Sequence, residues 1–367
     1  MRRNLIIFAV ILVLFGSSLY FGKEKAHQSS WDYLQKFLMI PGVSGAEARV
    51  ADYVVSQMPS GVKVQRDDMH NVWFTVGRGE PHLLFVAHTD ELGFIITAIT
   101  EHGTAKVSGK GGFFPDTYEA RPVVVYTRSG EVEGIVMPRP DFDARREDVP
   151  PFPISDIEIY FGVDSTVQAE SLGVALGDQV TIKKRTVRLT PDILAARAVD
   201  DRAGCAALLA AATRIDWGKV KGRTVTFAWD VQEEIGLRGA SRLAESIKPD
   251  YVFAVDTFVS ADGPFESKRF GFTPLGEGAV LRAIDNSTVS PYVYLRRIQK
   301  IAERADIPLQ LGNTHGGSND GSVFIPNGAA NIPLSWPGAY SHSFIEKIHR
   351  RDLEALTDLI AILVKEF

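Results

Sequence analysis

Two adjacent carboxylates, Glu233 and Glu234, close the apolar run TVTFAW within the stretch VQEEIGLRGA, residues 231–240. Side chains on successive residues of an extended segment diverge, so one acid can enter a metal's coordination shell while its neighbour stands free to carry a proton. That division of labour suits metal-assisted hydrolysis. Two acids after a strand are equally an ordinary solvated loop, and the glycines behind them ordinary turn punctuation. The pair gains meaning because four other apolar runs also end in a metal-ligand type of residue.

In LLFVAHTDELGF, residues 83–94, His88 follows a strand-like stretch, and Asp90 stands where it could accept a hydrogen bond from the second ring nitrogen of His88. Such a carboxylate orients metal-bound imidazoles. In ARAVDDRAGCAALLAAA, residues 196–212, Asp200 and Asp201 open an alanine-rich, helix-favouring run. Asp201 reads as the N-cap, which leaves Asp200 at the helix's positive pole. Asp256 closes the apolar part of YVFAVDTFVS, and His342 lies in AYSHSFIE shortly before the last helical pattern.

The set His88, Asp200, Glu234, Asp256 and His342 offers two imidazoles and three carboxylates, which suit zinc, cobalt or manganese better than calcium or copper. Five ligands exceed the needs of one catalytic zinc. Sharing one carboxylate gives each of two ions three protein groups and open positions, with roughly 3.5–4 Å between the ions in two-metal sites. In open α/β sheets such groups gather beyond the carboxyl ends of the strands.

From about Trp31 to the C-terminus the chain resembles the tetrahedral (TET) and glutamyl aminopeptidases, metallopeptidase family forty-two. The pieces that carry the likeness are PGVSGAEARV at 41–50, AHTDELGF at 87–94, AVDDRAGC at 198–205, QEEIGLRGA at 232–240 and YSHS at 340–343. The resemblance implies a dinuclear aminopeptidase acting on short peptides. It places His88, Asp200 and Asp256 on one ion and Asp200, Glu234 and His342 on the other, with Asp200 as the bridge and Glu233 as general base. It also implies self-association through an inserted β-domain. Ala339 stands where the family carries an arginine, so a wall of the substrate site differs. In HGGSNDGS, residues 315–322, Asn319 and Asp320 read as turn residues rather than catalysts. Two other readings compete: a metal-independent, endoglucanase-like glycoside hydrolase, whose usual carboxylate pair needs no metals, and an anchored scaffold without activity.

The elements that must position these residues follow from pattern. Trp31 to Ile40 and Ala46 to Met58 carry helical spacing, and apolar strands then lead to His88. From 97 to 187 the chain turns to short β-branched runs such as VVVYTRSGEVEGIVM, whose Ser129–Gly130 step reads as a hairpin turn. Helix and strand patterns alternate from 188 to 367, ending with Leu353, Leu356, Ile360, Leu363 and Phe367 at helical spacing toward a core. The expected fold class is α/β: a mixed-sheet α/β/α sandwich, residues 31–96 and 188–367, interrupted by a small β-barrel-like domain and preceded by an N-terminal hydrophobic helix.

The chain's 367 residues, 45% hydrophobic and 23% charged, suffice for two cores without a disordered block. A net charge of -5 argues against a nucleic-acid partner. The single cysteine, Cys205, reads as a small buried residue. Arg2 and Arg3 precede an apolar run from Leu5 to Phe15 that fades through Ser18 to Phe21. Residues 1–22 therefore read as a signal peptide or membrane anchor, followed by a linker at 23–30. Tyr20 and Phe21 suit an uncleaved interfacial anchor, which would put the catalytic part on the extracytoplasmic side, membrane-anchored or secreted.

Overall fold

The computed structural model describes residues 28–139, 152–262 and 271–367. Its centre is a mixed sheet in the order Val64–Arg66, Val72–Gly77, Thr224–Asp230, His82–His88, Tyr251–Val259, Leu334–Gly338, Ala279–Ile284, Leu309–Asn313. The four strands from Thr224–Asp230 to Leu334–Gly338 run parallel to one another, so their carboxyl ends share one edge. They read as continuous apolar runs because both faces are covered. The helices Ser30–Phe37, Ala48–Gln57, Val199–Arg214, Tyr292–Arg304 and Arg350–Glu366 pack on one face. The helix Arg238–Ser246 and the 3-10 segment Asp320–Asn327 cover the other.

The helix Val199–Arg214 is buried from Val199 to Ala212, and from Ala203 to Ala212 its small and apolar side chains let it lie close to the sheet. Cys205, among them, is free and donates its Sγ hydrogen to the carbonyl of His88. The final helix, Arg350–Glu366, buries Leu353, Leu356, Ile360 and Leu363, and Phe367 follows them into the core.

Leaving the sheet after His88, the chain enters a closed barrel of six strands, ordered Gly93–Ile99, Ala105–Lys110, Glu158–Tyr160, Glu131–Val136, Pro122–Tyr126, Gln179–Ile182. Phe94, Ile96, Val123, Val125, Ile159 and Val180 fill it. Ser129 and Gly130 lie in the connection between Pro122–Tyr126 and Glu131–Val136, with Gly130 at φ 140°, a value favouring glycine. A third sheet, Thr186–Arg188, Ile193–Ala196 and Glu346–His349, returns the chain from the barrel.

Two expectations need correction. Membrane spanning takes about 20 apolar residues, whereas the last helix, Arg350–Glu366, has 17 residues and charged positions along one face. No helix among the described residues is long and apolar enough to cross a membrane. The hydrophobic N-terminal helix and the leader or anchor assigned to 1–22 lie outside the described residues. The membrane-anchored or secreted, extracytoplasmic placement is therefore withdrawn.

The passage between sheet and barrel is held by charge. Glu91 is fully buried, with Lys184 Nζ at 2.6 Å, Arg197 Nη2 at 3.0 Å and Arg202 Nη2 at 3.8 Å. Burial opposes its ionisation, but Arg197, Lys184 and Arg202 hold its carboxyl down at about 2. One acid cannot balance three cations, and burial lowers Lys184 to about 7. Replacing Glu91 with Ala leaves Arg197 and Arg202 buried without this counter-charge, which is expected to cost about 3–5 kcal/mol, read as a fall in the urea midpoint. Because the folded pKa is depressed, the wild-type carboxylate contributes its stability above the ordinary value of 4.5 and loses it as pH falls toward about 2. The variant should lack that acid-side loss.

Candidate metal centre

Parallel register sets the depth of the site. His88 ends its strand directly opposite Asp230, and Val231 to Glu234 follow over the same sheet edge. Glu233 and Glu234 do not continue an extended strand. Gln232 turns the backbone to φ 57°, and both acids lie in the 3-10 turn Glu233–Ile235. Three residues per turn still sends consecutive side chains in different directions. The turn packs under Gly239, where any Cβ would strike the backbone of Val231.

Asp256 lies within the strand Tyr251–Val259 rather than at its end, in register with Ser335 on the neighbouring strand. Asp200 comes from outside the main sheet, just after Ile193–Ala196. Asp200 and Asp201 depart from helical φ/ψ at the head of Val199–Arg214, and the bond joining them is cis. The capping assignment for Asp201 fits its contacts: Oδ1 accepts the N–H of Gly204, and Oδ2 accepts that of His88. His342 lies in a loop with φ 64°, ahead of the strand Glu346–His349.

These elements bring His88, Asp200, Glu233, Glu234, Asp256 and His342 to one cleft of about 740 Å³. His88 Nε2 is 3.4 Å from Asp200 Oδ1, and His342 Nε2 is 3.9 Å from Asp200 Oδ2 and 3.6 Å from Glu234 Oε2. Ligand atoms of His88, Asp200 and Glu234 all lie within 4.8 Å of one another. That group draws on both of the triplets expected from sequence. Asp256 faces Arg282, whose Nη1 stands 3.8 Å away.

Both histidines turn one nitrogen outward. His88 Nδ1 is 3.3 Å from Asp90 Oδ1, leaving Nε2 toward Asp200. His342 Nδ1 contacts the carbonyl of Gly112, a residue of the barrel segment, leaving its Nε2 toward Asp200 and Glu234. A proton on Nδ1 in each ring frees Nε2 for a cation. Asp90 also accepts the N–H groups of Glu233 at 3.0 Å and Glu234 at 3.2 Å, and the Ser44 hydroxyl at 2.6 Å.

The electrostatics are those of a site short of positive charge. Burial, with the carboxylates of Asp320, Glu234 and Asp256, raises Glu233 well above the carboxylate range, against the pull of His88. Burial and Asp200 raise Glu234 likewise, and burial pushes Asp256 up to about 6 despite Arg282. Burial alone would depress His88, but Asp200 and Asp90 raise it well above its ordinary value. Three carboxylates and two imidazoles around one cavity fit divalent cations, whose charge relieves this mutual repulsion.

Sequence reasoning missed several participants. Ser341 donates its hydroxyl to Asp200 Oδ2 at 2.9 Å. Arg282 lines the cleft while donating to the Thr257 carbonyl and to Asp285. Asn319 and Asp320, read as turn residues, open the 3-10 segment Asp320–Asn327 and are 0% and 3% exposed. Asn319 caps the 3-10 segment and donates to Asp285 Oδ2 at 2.8 Å, fixing the loop Gly316–Ser318 along the cleft. Ala339 is buried in a bridge with Lys347 and does not line the cleft, whereas Tyr340 and Ser341 do.

A family model for M42 glutamyl aminopeptidase matches residues 71–359. The lysyl aminopeptidase of Pyrococcus furiosus is 29% identical over 92% of this chain and 97% of its own. The glutamyl aminopeptidase of Lactococcus lactis subsp. cremoris is 28% identical over 91% and 95%. The solved TET1 peptidase of Pyrococcus horikoshii superposes with a TM-score of 0.84 at 34% identity, over 92% of this chain and 100% of that one. With the sheet, the barrel and the cleft in place, these matches show that the chain belongs to the M42 glutamyl aminopeptidase family and is a metallo-aminopeptidase, a peptide hydrolase.

Proposed function

We propose that the protein removes N-terminal residues from short peptides using two divalent ions, zinc, cobalt or manganese. His88, Asp200, Glu234, Asp256 and His342 are the ligands in this reading, and Glu233 is the general base. The observation that carries it is the place of Asp200, which presents Oδ1 to His88 and Oδ2 to His342, the arrangement a bridging carboxylate needs. Bound ions would lower the pKa of a shared water from about 15.7 toward neutrality, polarise the scissile carbonyl and hold the free α-amine.

The chain's own residues do the rest. Asp90 fixes His88 and both amides of the Glu233–Glu234 turn, so base and ligand keep one spacing. Glu233, on the cleft wall, takes the proton from water and returns it to the leaving amine. Phe114, Leu237 and Val259 give the cleft apolar walls for the peptide. The glycosidase reading has weaker support, because the acids here are grouped with histidines rather than standing as an isolated pair. Self-association also belongs to this proposal, since the Pyrococcus horikoshii relative is described as assembling into a tetrahedron or a large octahedral shell. The barrel exposes Val167, Leu172 and Leu176, apolar surface suited to such contacts.

Glu233→Gln should lower kcat by about 10²–10⁴-fold while metal analysis still finds the wild-type content; turnover near the wild-type rate removes Glu233 as base. Given peptides that differ only in a free or acetylated N-terminus, the enzyme should cleave the free form alone and lose that activity on chelation. Equal cleavage of both would contradict exopeptidase action. Mass photometry of a chain beginning near Ala26 should show assemblies larger than the monomer, and a single monomeric species would reject the self-association.

A further inference from the structure

Glu346 is 4% exposed and reaches two of the residues above through their backbones rather than their side chains. Its Oε2 accepts the N–H of Asp200 at 3.0 Å, and its Oε1 accepts the N–H of His342 at 2.9 Å. We propose that Glu346 is the positioning residue of the metal centre, a carboxylate clasp that sets the distance between the bridging Asp200 and the ligand His342. The inference rests on the dinuclear reading given above and adds to it a residue that touches neither ion nor substrate.

Topology delivers Glu346 to this place. The strand Glu346–His349 pairs antiparallel with Ile193–Ala196, with Glu346 opposite Ala196 and so close to the segment that becomes Asp200. On its other side Lys347 exchanges backbone hydrogen bonds with Ala339, three residues before His342. One short strand thus meets both ligand segments, although they are separated by more than a hundred residues of sequence.

Both segments need holding. Asp200 has φ -75° and ψ 111° at the head of a helix, where N–H groups lack acceptors within the helix. Tyr340 and His342 have φ 62° and 64°, a left-handed region that is costly for side chains of their size and persists only where surrounding contacts impose it. Glu346 supplies an acceptor to Asp200 and to the second of the strained residues with the two oxygens of one group. Ser341 Oγ meets Asp200 Oδ2 from the same loop. Asp200 is therefore fixed at its backbone by Glu346 and at its carboxylate by Ser341.

A carboxylate presents two oxygen acceptors, one to each amide. Glu346→Gln removes the charge and keeps the size, but retains only one oxygen acceptor. A structural role alone predicts that metal-free stability falls while metal affinity in the folded variant is unchanged. The clasp predicts that metal affinity also changes in the folded variant.

The test is calorimetric titration of the metal-free full chain with cobalt, followed by visible absorption, for wild type and Glu346→Gln. Wild type is expected to take two ions. In folded Glu346→Gln the more weakly held ion should lose about 10–100-fold in affinity, with a changed cobalt spectrum. Glu346→Asp keeps the charge but is too short to reach both amides, and should show the same selective loss. Two ions bound by both variants with wild-type affinity and spectrum overturn the clasp while leaving the dinuclear reading intact. A wild type that takes fewer than two ions overturns the dinuclear reading itself, and the clasp with it. Should neither variant fold, hydrogen exchange on the wild type decides: protected amides at Asp200 and His342 in the metal-free chain are expected, and free exchange at either overturns the inference.

Discussion

The buried carboxylate of Asp90 is the constraint on which the catalytic edge depends. It is 0% exposed, and burial alone would favour its protonated form. His88, Ser44 and the Glu233 amide instead hold it below the usual carboxylate range. A charge can survive in such a place only if its oxygens are satisfied by donors. Those donors come from the end of one strand, the loop before the second helix, and the turn that follows another strand. Satisfying Asp90 therefore fixes the relative position of His88, Glu233 and Glu234 before any cation arrives.

Charge is segregated around this point. On the cleft side lie acids that burial drives toward protonation: Glu233, Glu234 and Asp256. Behind them, at the entry to the barrel, Glu91 is surrounded by Lys184, Arg197 and Arg202. Positive charge is thus abundant where it ties the two halves of the molecule together and scarce where divalent ions would provide it. The two regions are joined through the chain, because Glu91 follows Asp90 directly and Arg197 and Arg202 flank Asp200 and Asp201.

The barrel contributes to the cleft as well as closing its own core. Gly112 offers its carbonyl to His342 Nδ1, and Phe114 stands on the cleft wall. Gly111 beside them has φ 84°, and a Cβ there would crowd Leu92 and Glu234. The backbone passes so near Glu234 that glycine is needed for close approach as well as for conformation. The orientation of one histidine thus depends on a domain inserted between the first and second halves of the sheet.

Much of the candidate site was legible in the chain because its residues stand at or near strand and helix ends. Apolar runs closed by His88 and by Glu233 and Glu234, and an alanine-rich helix opened by Asp200 and Asp201, name ligand types without reference to distance. Parallel pairing then requires the strand ends to share an edge. The sequence alone also determined the amphipathic last helix and the β-rich character of the insert, since both follow from local periodicity. Tertiary structure alone decided which groups meet. No local pattern sets Glu346 against the amides of Asp200 and His342, brings the Gly112 carbonyl to His342, or buries Asn319 and Asp320 in what reads as a polar turn. Those pairings join residues far apart in the chain, and they are determined by strand register and by the need of every buried donor and acceptor for a partner.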